Sequence, residues 1–534
     1  MIDTKKLWSR CKELEQERSL YMRRWQDVVD YILPTHRDFT TKRQPGAEKS
    51  IFNWDATATI SNEILASAFH DAMTNKSMPW YQHTFRDRKL AEKRVAKIWL
   101  EESQDIAQTA FNLSNFYPVI EIFWNTAPAL GTSALFFEDD YGKFRFENVP
   151  LQEITFEENS HGIADVIYRR YQMRVDAILD QWGEAAKQSQ KVQAAIRKDR
   201  LYDKLDILHY VAPRRNKPTF NPDHRYIQVY SLPDGIHLNE KNGKFDGFHE
   251  QPYMIFRWKK MPGECYGTGI GMMIMPDIKT LNATIEIKME ALPLQVNPPW
   301  KTTENNLISI GEDGVIKPGA IIYCRRTDHL ERVNTTGGLN VSEIEEEKQR
   351  QKIRDSYFVN QLLLAPDRPE QTAYEIQQRQ NIVYRLLSQN ASRAEVEVLK
   401  PIVERGFGIL FRSGQFPDIP EELQEQELDI EFVSPLARAQ KFQEVQATLQ
   451  ISEYVGNLSS LIPEVRHTLK WRDVISTHAA NIGAPSKLIR DEKEYNEIIQ
   501  KENESQQLST ELQQAETAAG ALQRFGRGMQ SMKQ

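Results

Sequence analysis

Cysteine is nearly absent from this chain: three occur in 534 residues, Cys11, Cys265 and Cys324, with no CxxC pair. So few, scattered and odd in number, they exclude a disulfide scaffold and fit a reducing compartment. Long apolar runs are also missing, and none reaches membrane-spanning length. The N-terminal MIDTKKLWSR leads directly into a helical pattern, so no signal peptide is expected. Nor is there a basic excess. Lys and Arg number 68 against 75 Asp and Glu, a net charge of −7. No global field then draws the protein to nucleic acid or a membrane, and any contact with DNA should be local or weak.

The chain also lacks the short motifs of catalysis. It has no GxxxxGK[ST], HExxH, DxDxDG loop, GxSxG elbow or paired Cys/His spacing. These absences remove the phosphate cradle, the common metal sites and the strained nucleophile. His161, His249 and His329 are isolated beside turns and read as surface residues. No cofactor or metal is expected, and the weight moves from enzyme towards structural or assembly protein.

What is present is enough for several cores. At 534 residues, 40% of them apolar, two or more domains are expected. Residues 5–33 read as a helix with Leu7, Cys11, Leu14, Tyr21, Trp25, Val28 and Ile32 on one stripe, Arg18 its one break, and Pro34 its end. Further helices are expected over 56–74 and 89–114. The apolar, aromatic stretch Tyr117–Leu130 is broken by Gly131. SALFFEDD and KFRFENV flank Tyr141-Gly142 as a hairpin, EITFEEN and IADVIYRRYQM repeat that logic, and Gly183 is expected to stop a short helix. Strands and turns alternate over 205–258. Residues 1–265 therefore read as a mixed α+β domain.

From Tyr266 the period becomes helical. Ile274, Ile278, Leu281, Ile285, Met289 and Leu292 form a stripe that Pro293 is expected to end, and about 27 helical residues make a rod of roughly 40 Å. A turn-rich insert, 293–340, follows. Ser342 to Glu345 reads as a capping box, with Glu343 to Glu347 ahead of Lys348, Arg350, Lys352 and Arg354, as the helix dipole favours. That helix is expected to reach Leu363. APDRPEQ is a loop. A long helix from Thr372 follows and is kinked at Pro401 before Phe411. Beyond Gly414 come the strand LDIEFV, helices at 435–455, 459–480 and 486–500, and a Gln/Ser/Ala-rich tail at 501–534 that can bury little. Gly267, Gly269 and Gly271 open the first rod helix but miss the G-x-G-x-x-G spacing, so they read as a hinge rather than a dinucleotide site. A rod with an insert at one end and a tight loop at the other suits a ring that lines a channel.

Several segments in order resemble a known family. They are NWDATATISNEILASAFHDAMTNKSMPWYQHTF, NFYPVIEIFWNTAPALGTSALFFEDD, FENVPLQEITFEENSHGIADVIYRRYQM, ECYGTGIGMMIMPDIKTLNATIE and RPEQTAYEIQQRQ. Together they resemble the portal proteins, or head–tail connectors, of T7-like short-tailed bacteriophages, over roughly residues 5–500. The insert at 293–340 and the tail depart from the pattern. The resemblance implies an α+β, mainly helical ring subunit with wing, stem, clip and crown regions, in a dodecamer at one vertex of a viral head. Residues 1–265 and 373–420 would form a wing, 266–292 and 342–361 the stem, 293–341 the clip, 362–371 a tunnel loop and 421–500 a crown. The implied partners are copies of itself, double-stranded DNA, the terminase large subunit, the major capsid and scaffolding proteins, and tail adaptor or tubular proteins. The implied location is the virion, with assembly in the host cytoplasm.

In a channel, tight grip on phosphates would stall passage. Arg368 is the only base in 362–371, balanced by Asp367 and Glu370, with Leu362 to Leu364 anchoring the loop. Lys279, Lys288, Lys348, Arg350, Lys352 and Arg354 are candidates for channel-facing charge, and salt bridges between subunits explain them equally well. The competing readings are another virion component, such as an internal ejection protein, and a dinucleotide-binding oxidoreductase resting on Tyr266 to Gly271.

Overall fold

The structure is a computed structural model that describes residues 3–41, 46, 49, 53–77, 79–87, 93–215, 222–241, 244–302, 318, 321–323, 331–332, 339–363, 386–420, 423, 428–432, 447–458, 462, 468–471, 474–475, 495–501 and 505. The chain divides into two compact units. The first comprises Met1–Gln82, Gln104–Pro417 and Ile430–Leu436, and the second His83–Ser103, Asp418–Asp429 and Ala437–Gln534.

In the first unit, helix α1 (Thr4–Tyr31) starts where the Asp3 carboxylate accepts the N–H groups of Lys5 and Lys6. It buries Cys11, Leu14, Trp25 and Val28, as the stripe implies, and Trp8 as well, whereas Leu7 of the stripe is half-buried. Arg18, the apparent break, is buried on that same face. Its Nη1 donates to the carbonyls of Leu151 and Ile154, both at 2.8 Å, so hydrogen bonding offsets the burial of its charge. Helix α2 (Thr57–Thr74), strand β1 (Tyr81–Phe85) and helix α3 (Arg94–Leu113) follow. Helix α4 (Phe116–Leu130) buries Ile120, Phe123 and Trp124 and ends at Gly131, whose φ of 79° is the left-handed cap that glycine adopts readily.

Strands β2 (Thr132–Asp140) and β3 (Lys143–Val149) form the hairpin expected at Tyr141-Gly142, where both residues have positive φ, 53° and 81°. The second hairpin is β4 (Ile154–Glu158) with β5 (Ala164–Arg174). Helices α5 (Val175–Lys187) and α6 (Gln190–Arg197) come next, then β6 (Lys204–Pro213) and β7 (Tyr226–Ser231). Gly183 kinks α5 at φ 47° but does not stop it, because the continuation places Ala186 in a core with Val175, Ile178 and Val192. The short strands β8 (Glu240–Lys241), β9 (Lys244–Phe245) and β10 (Gly247–Phe248) precede β11 (Tyr253–Arg257). Two sheets result, one of order β10-β7-β6-β5-β4 and one of order β11-β2-β3. This is the α+β architecture expected.

The rod begins with a short turn of helix, α7 (Ile270–Met273), and continues as α8 (Met275–Val296). Pro293 lies inside α8 rather than ending it. The helix stops at Asn297, before Pro298 and Pro299. The insert carries β12 (Trp300–Thr302), β13 (Ile321–Tyr323) and β14 (Glu331–Arg332), with β12 central, parallel to β13 and antiparallel to β14. Helix α9 (Leu339–Ser356) starts three residues before Ser342, so the expected capping box is interior to it. The helix does not run unbroken to Leu363. Phe358 takes a left-handed φ of 59°, and a separate turn, α10 (Val359–Leu362), follows.

The start of the helix expected from Thr372 lies outside the described residues. Its later part is helical at 386–394, passes through a π-helical turn at Glu395–Leu399, and continues as α11 (Lys400–Arg412). Pro401 has no N–H for the carbonyl four residues back. The chain widens there instead, with the Lys400 N–H bonded to the Glu395 carbonyl. Strand β15 (Leu428–Phe432) is the expected LDIEFV.

The second unit has its own buried contacts. Phe85 stacks on Trp99 at 6.2 Å, and the His83 ring meets Ser103 Oγ at 3.0 Å. Its described helices include the first part of α3, 94–103, and segments at 447–458 and 495–501. The remainder of the helices expected over 435–500, and nearly all of the tail, lie outside the described residues.

Candidate channel-lining helix pair

The base of the rod is a crossing of two backbones. A Cβ on Gly267 would meet the Gly131 carbonyl and the backbone of Arg257. One on Gly269 would lie 2.6 Å from the Pro128 carbonyl oxygen, and one on Gly271 2.6 Å from Ile32 Cδ1. Each glycine is thus required by close approach. Hydrogen bonds hold the crossing: Gly267 N–H to Thr132 Oγ1 at 2.9 Å, Thr268 N–H to the Lys259 carbonyl at 2.8 Å, and Trp258 N–H to the Gly131 carbonyl at 2.9 Å. The strand before the rod is secured by Arg257, which is buried and pairs with Glu158 and with Glu397 at 2.6 Å. Glu397 belongs to the π-helical turn, so the widening forced by Pro401 carries a carboxylate that meets this arginine.

Above the crossing, α8 and α9 are joined by a buried polar network. Asn282 lies on the apolar stripe of α8. Its Oδ1 accepts the backbone N–H of Trp54 at 2.8 Å and of Asp55 at 3.3 Å, and its Nδ2 donates to the Ile278 carbonyl. Asp55, just ahead of α2, accepts the Thr57 N–H at 2.8 Å through one carboxylate oxygen and Arg350 Nε of α9 at 2.9 Å through the other. Arg350 also lies 3.7 Å from Glu346, which is buried and 3.1 Å from Lys288 Nζ of α8. Burial would raise the Asp55 carboxyl, but the hydrogen bonds from Thr57 and Arg350 outweigh it and hold the group below its usual value. Sequence reading missed Asp55, Asn282 and Glu346. A polar residue inside an apolar stripe was the available signal for Asn282.

The stripe itself is divided. Ile278, Leu281 and Ile285 are buried, whereas Met289, Leu292 and Val296 on the same helical face are 48%, 42% and 79% exposed. Ile287 and Ile344 are exposed as well. The apolar face of α8 thus outruns the chain that covers it.

The six charges singled out as channel-facing fall into two groups. Lys279 pairs with Asp27 at 2.8 Å, Lys288 with Glu346, Arg350 with Asp55, and Arg354 with Glu347 at 2.9 Å, all within one chain. Lys348 is exposed beside Glu345 at 3.7 Å, and Lys352 is exposed with no ion pair among the described residues. Leu364, Asp367, Arg368 and Glu370 lie outside the described residues. Among the described residues no group of three His, Cys, Asp or Glu side chains is placed to hold a metal, and no helix is long and apolar enough to cross a membrane.

The chain is similar to a protein named "Probable portal protein" of Bordetella phage BPP-1, 25% identical over 506 residues that span 91% of this chain and 89% of that one. It is also similar to a protein named "Portal protein" of Salmonella phage epsilon15, 23% identical over 549 residues, 97% of this chain and 95% of that one. The family described as "Bacteriophage head to tail connecting protein" matches residues 4–489. The chain belongs to that family of portal proteins and is a structural protein of the virion, placed at the capsid vertex where head meets tail, and not an enzyme.

Proposed function

We propose that the chain is one of twelve copies in a closed ring, with α8 and α9 of each copy standing side by side around a passage for the duplex genome. The observation that carries this reading is the divided stripe. Its first half is covered by the chain's own core, and its second half, Met289, Leu292 and Val296, is left for a neighbour. Apolar area of this kind contributes about 25 cal/mol per Å² when covered, and twelve repeats of one contact would close a ring. The pairing of Lys279, Lys288, Arg350 and Arg354 within the chain leaves exposed Lys352, and Lys348 beside Glu345 at 3.7 Å, as the bases to face the passage. With the net charge of −7, this suits a sleeve that holds DNA weakly.

In this reading residues 1–265 and 373–420 are the wing, and 266–292 and 342–361 the stem rising from the glycine crossing. Residues 293–341, with their small sheet, are the clip, where the terminase large subunit docks during packaging and tail adaptors dock afterwards. Residues 362–371 form the tunnel loop, with Arg368 touching phosphate transiently between Asp367 and Glu370, and Leu364 anchoring it. Residues 421–500 are the crown. Major capsid and scaffolding proteins would contact the ring during head assembly. Negative-stain images of the purified protein test the reading. Rings with a central hole are expected, and solid compact particles would refute it. Arg368→Ala should leave the rings intact and alter packaging or genome retention.

A further inference from the structure

The corner between α6 and β6 is strongly basic in an acidic chain. Residues 187–204 hold six Lys or Arg (Lys187, Lys191, Arg197, Lys198, Arg200 and Lys204) against two carboxylates, Asp199 and Asp203. Lys191, Lys198, Arg200 and Lys204 are exposed and form no ion pair among the described residues, and Arg197 reaches only Gln193 Oε1 at 3.1 Å. The strand register adds to the imbalance. Arg174 at the end of β5 lies directly opposite Lys204 at the start of β6. Like charges facing each other across a sheet destabilise the chain that holds them. Arg174 is partly neutralised by Asp176 at 2.8 Å, and its guanidinium lies 5.5 Å from the ring centre of Tyr202, which is 76% exposed.

The corner is fixed in place. Arg200 N–H bonds to the Ala195 carbonyl at 2.9 Å, Asp176 N–H to the Leu201 carbonyl at 3.0 Å, and Val175 N–H to the Asp203 carbonyl at 3.0 Å. Val192 and Ala195 anchor α6 beneath it in a small core. Five cations are thus presented on α6 and the ordered turn that follows it, and the like-charge pair of Arg174 and Lys204 beside them would be relieved by an external anion.

We propose that this corner binds the phosphate backbone of duplex nucleic acid. Arginine and lysine side chains grouped on a rigid turn suit phosphate. A protein partner would need an apolar centre as well, and the corner offers only Tyr202 and Ile196. The site lies on the β5–β6 end of the sheet, apart from α8 and α9, and it does not rest on the ring reading.

The test is binding of the full-length protein to a covalently closed duplex circle, which cannot thread a preformed ring, followed by fluorescence anisotropy across a salt series. Five phosphates neutralised predict a log–log salt slope of about −4.5. The variant Lys198→Glu/Arg200→Glu/Lys204→Glu should bind at least about tenfold more weakly, with a slope shallower by about 3. The neutral variant Lys198→Gln/Arg200→Gln/Lys204→Gln, in case charge reversal harms folding, should show the same direction. Lys5→Gln/Lys6→Gln/Lys12→Gln, which removes exposed cations on α1, should leave binding unchanged. Unchanged affinity in both corner variants would overturn the proposal. So would displacement of the circle by poly-glutamate at equal charge, which would assign the corner to an acidic protein.

Discussion

Arg350 and Asp55 stand 295 residues apart in the chain and meet at 2.9 Å, Nε donating to Oδ2. The contact ties the returning helix α9 to the start of α2, and Asn282 ties α8 to the same point. The two rod helices are therefore fastened at one residue, α9 to the Asp55 carboxylate and α8 to its backbone N–H, before any neighbour is considered.

Replacing Arg350 tests that fastening. Arg350→Met removes the cation from a buried carboxylate, and breaking such a pair costs about 3 kcal/mol. Lys348→Met, an exposed pair on the same helix, should change stability by less than about 0.5 kcal/mol. Urea unfolding of both variants gives the comparison. Equal effects would show that the network contributes nothing beyond surface charge.

The glycine crossing sets a second contrast. Gly269→Ala forces a methyl group against the carbonyls of Ala129 and Pro128 and should cost about 3 kcal/mol or more. Gly263→Ala meets no atom within 4 Å and suffers only its φ of 83°, so about 1 kcal/mol is expected. Thermal unfolding of the two variants should rank them in that order, and the reverse order would remove the crossing from the account.

Acid sensitivity follows from His209. The ring is fully buried, meets Tyr253 OH at 2.7 Å and stacks on Tyr230 at 4.1 Å between centroids. Burial, reinforced by Arg169, holds it well below its usual 6.5. A depressed histidine contributes stability that is complete above the unfolded value of about 6.5 and is lost as pH falls below it. His209→Phe should cost about 1 kcal/mol at pH 8, where Tyr253 loses its partner. Between pH 6.5 and 5 the variant should lose stability more slowly than the parent, by up to about 1.4 kcal/mol per pH unit. Parallel pH profiles would show that the histidine takes up its proton equally in the folded and unfolded states, with no depression by burial.

Much of the fold could be read from local sequence. The Tyr141-Gly142 hairpin, the Gly131 cap and the stripe of α1 rest on residues whose preferences act over a few positions. Where the reading failed, a distant contact decided. Arg18 seemed to break a stripe because the carbonyls of Leu151 and Ile154 that receive it are more than 130 residues away. Pro293 did not end α8, since a proline inside a helix forfeits one hydrogen bond and the helix can absorb that loss in its last turn. The charges on α8 and α9 stand out as a group in the sequence. Two of their partners, Asp27 of α1 and Asp55 just ahead of α2, lie more than 200 residues away and could not be inferred from spacing.

The uncovered half of the stripe yields a prediction about assembly. Leu292 is 42% exposed in the single chain. Leu292→Glu should leave the circular dichroism spectrum and the unfolding midpoint nearly unchanged, since surface substitutions shift stability by less than about 0.5 kcal/mol. In a ring the same carboxylate would be buried between copies, and assembly should fail. A variant that still assembles like the parent would free this face of any role in the ring.

The most direct test of the central claim is the native mass of the purified full-length protein by light scattering. A closed ring predicts a single species near twelve times the 62.1 kDa of one chain. A species of 62.1 kDa that persists at every protein concentration would contradict it.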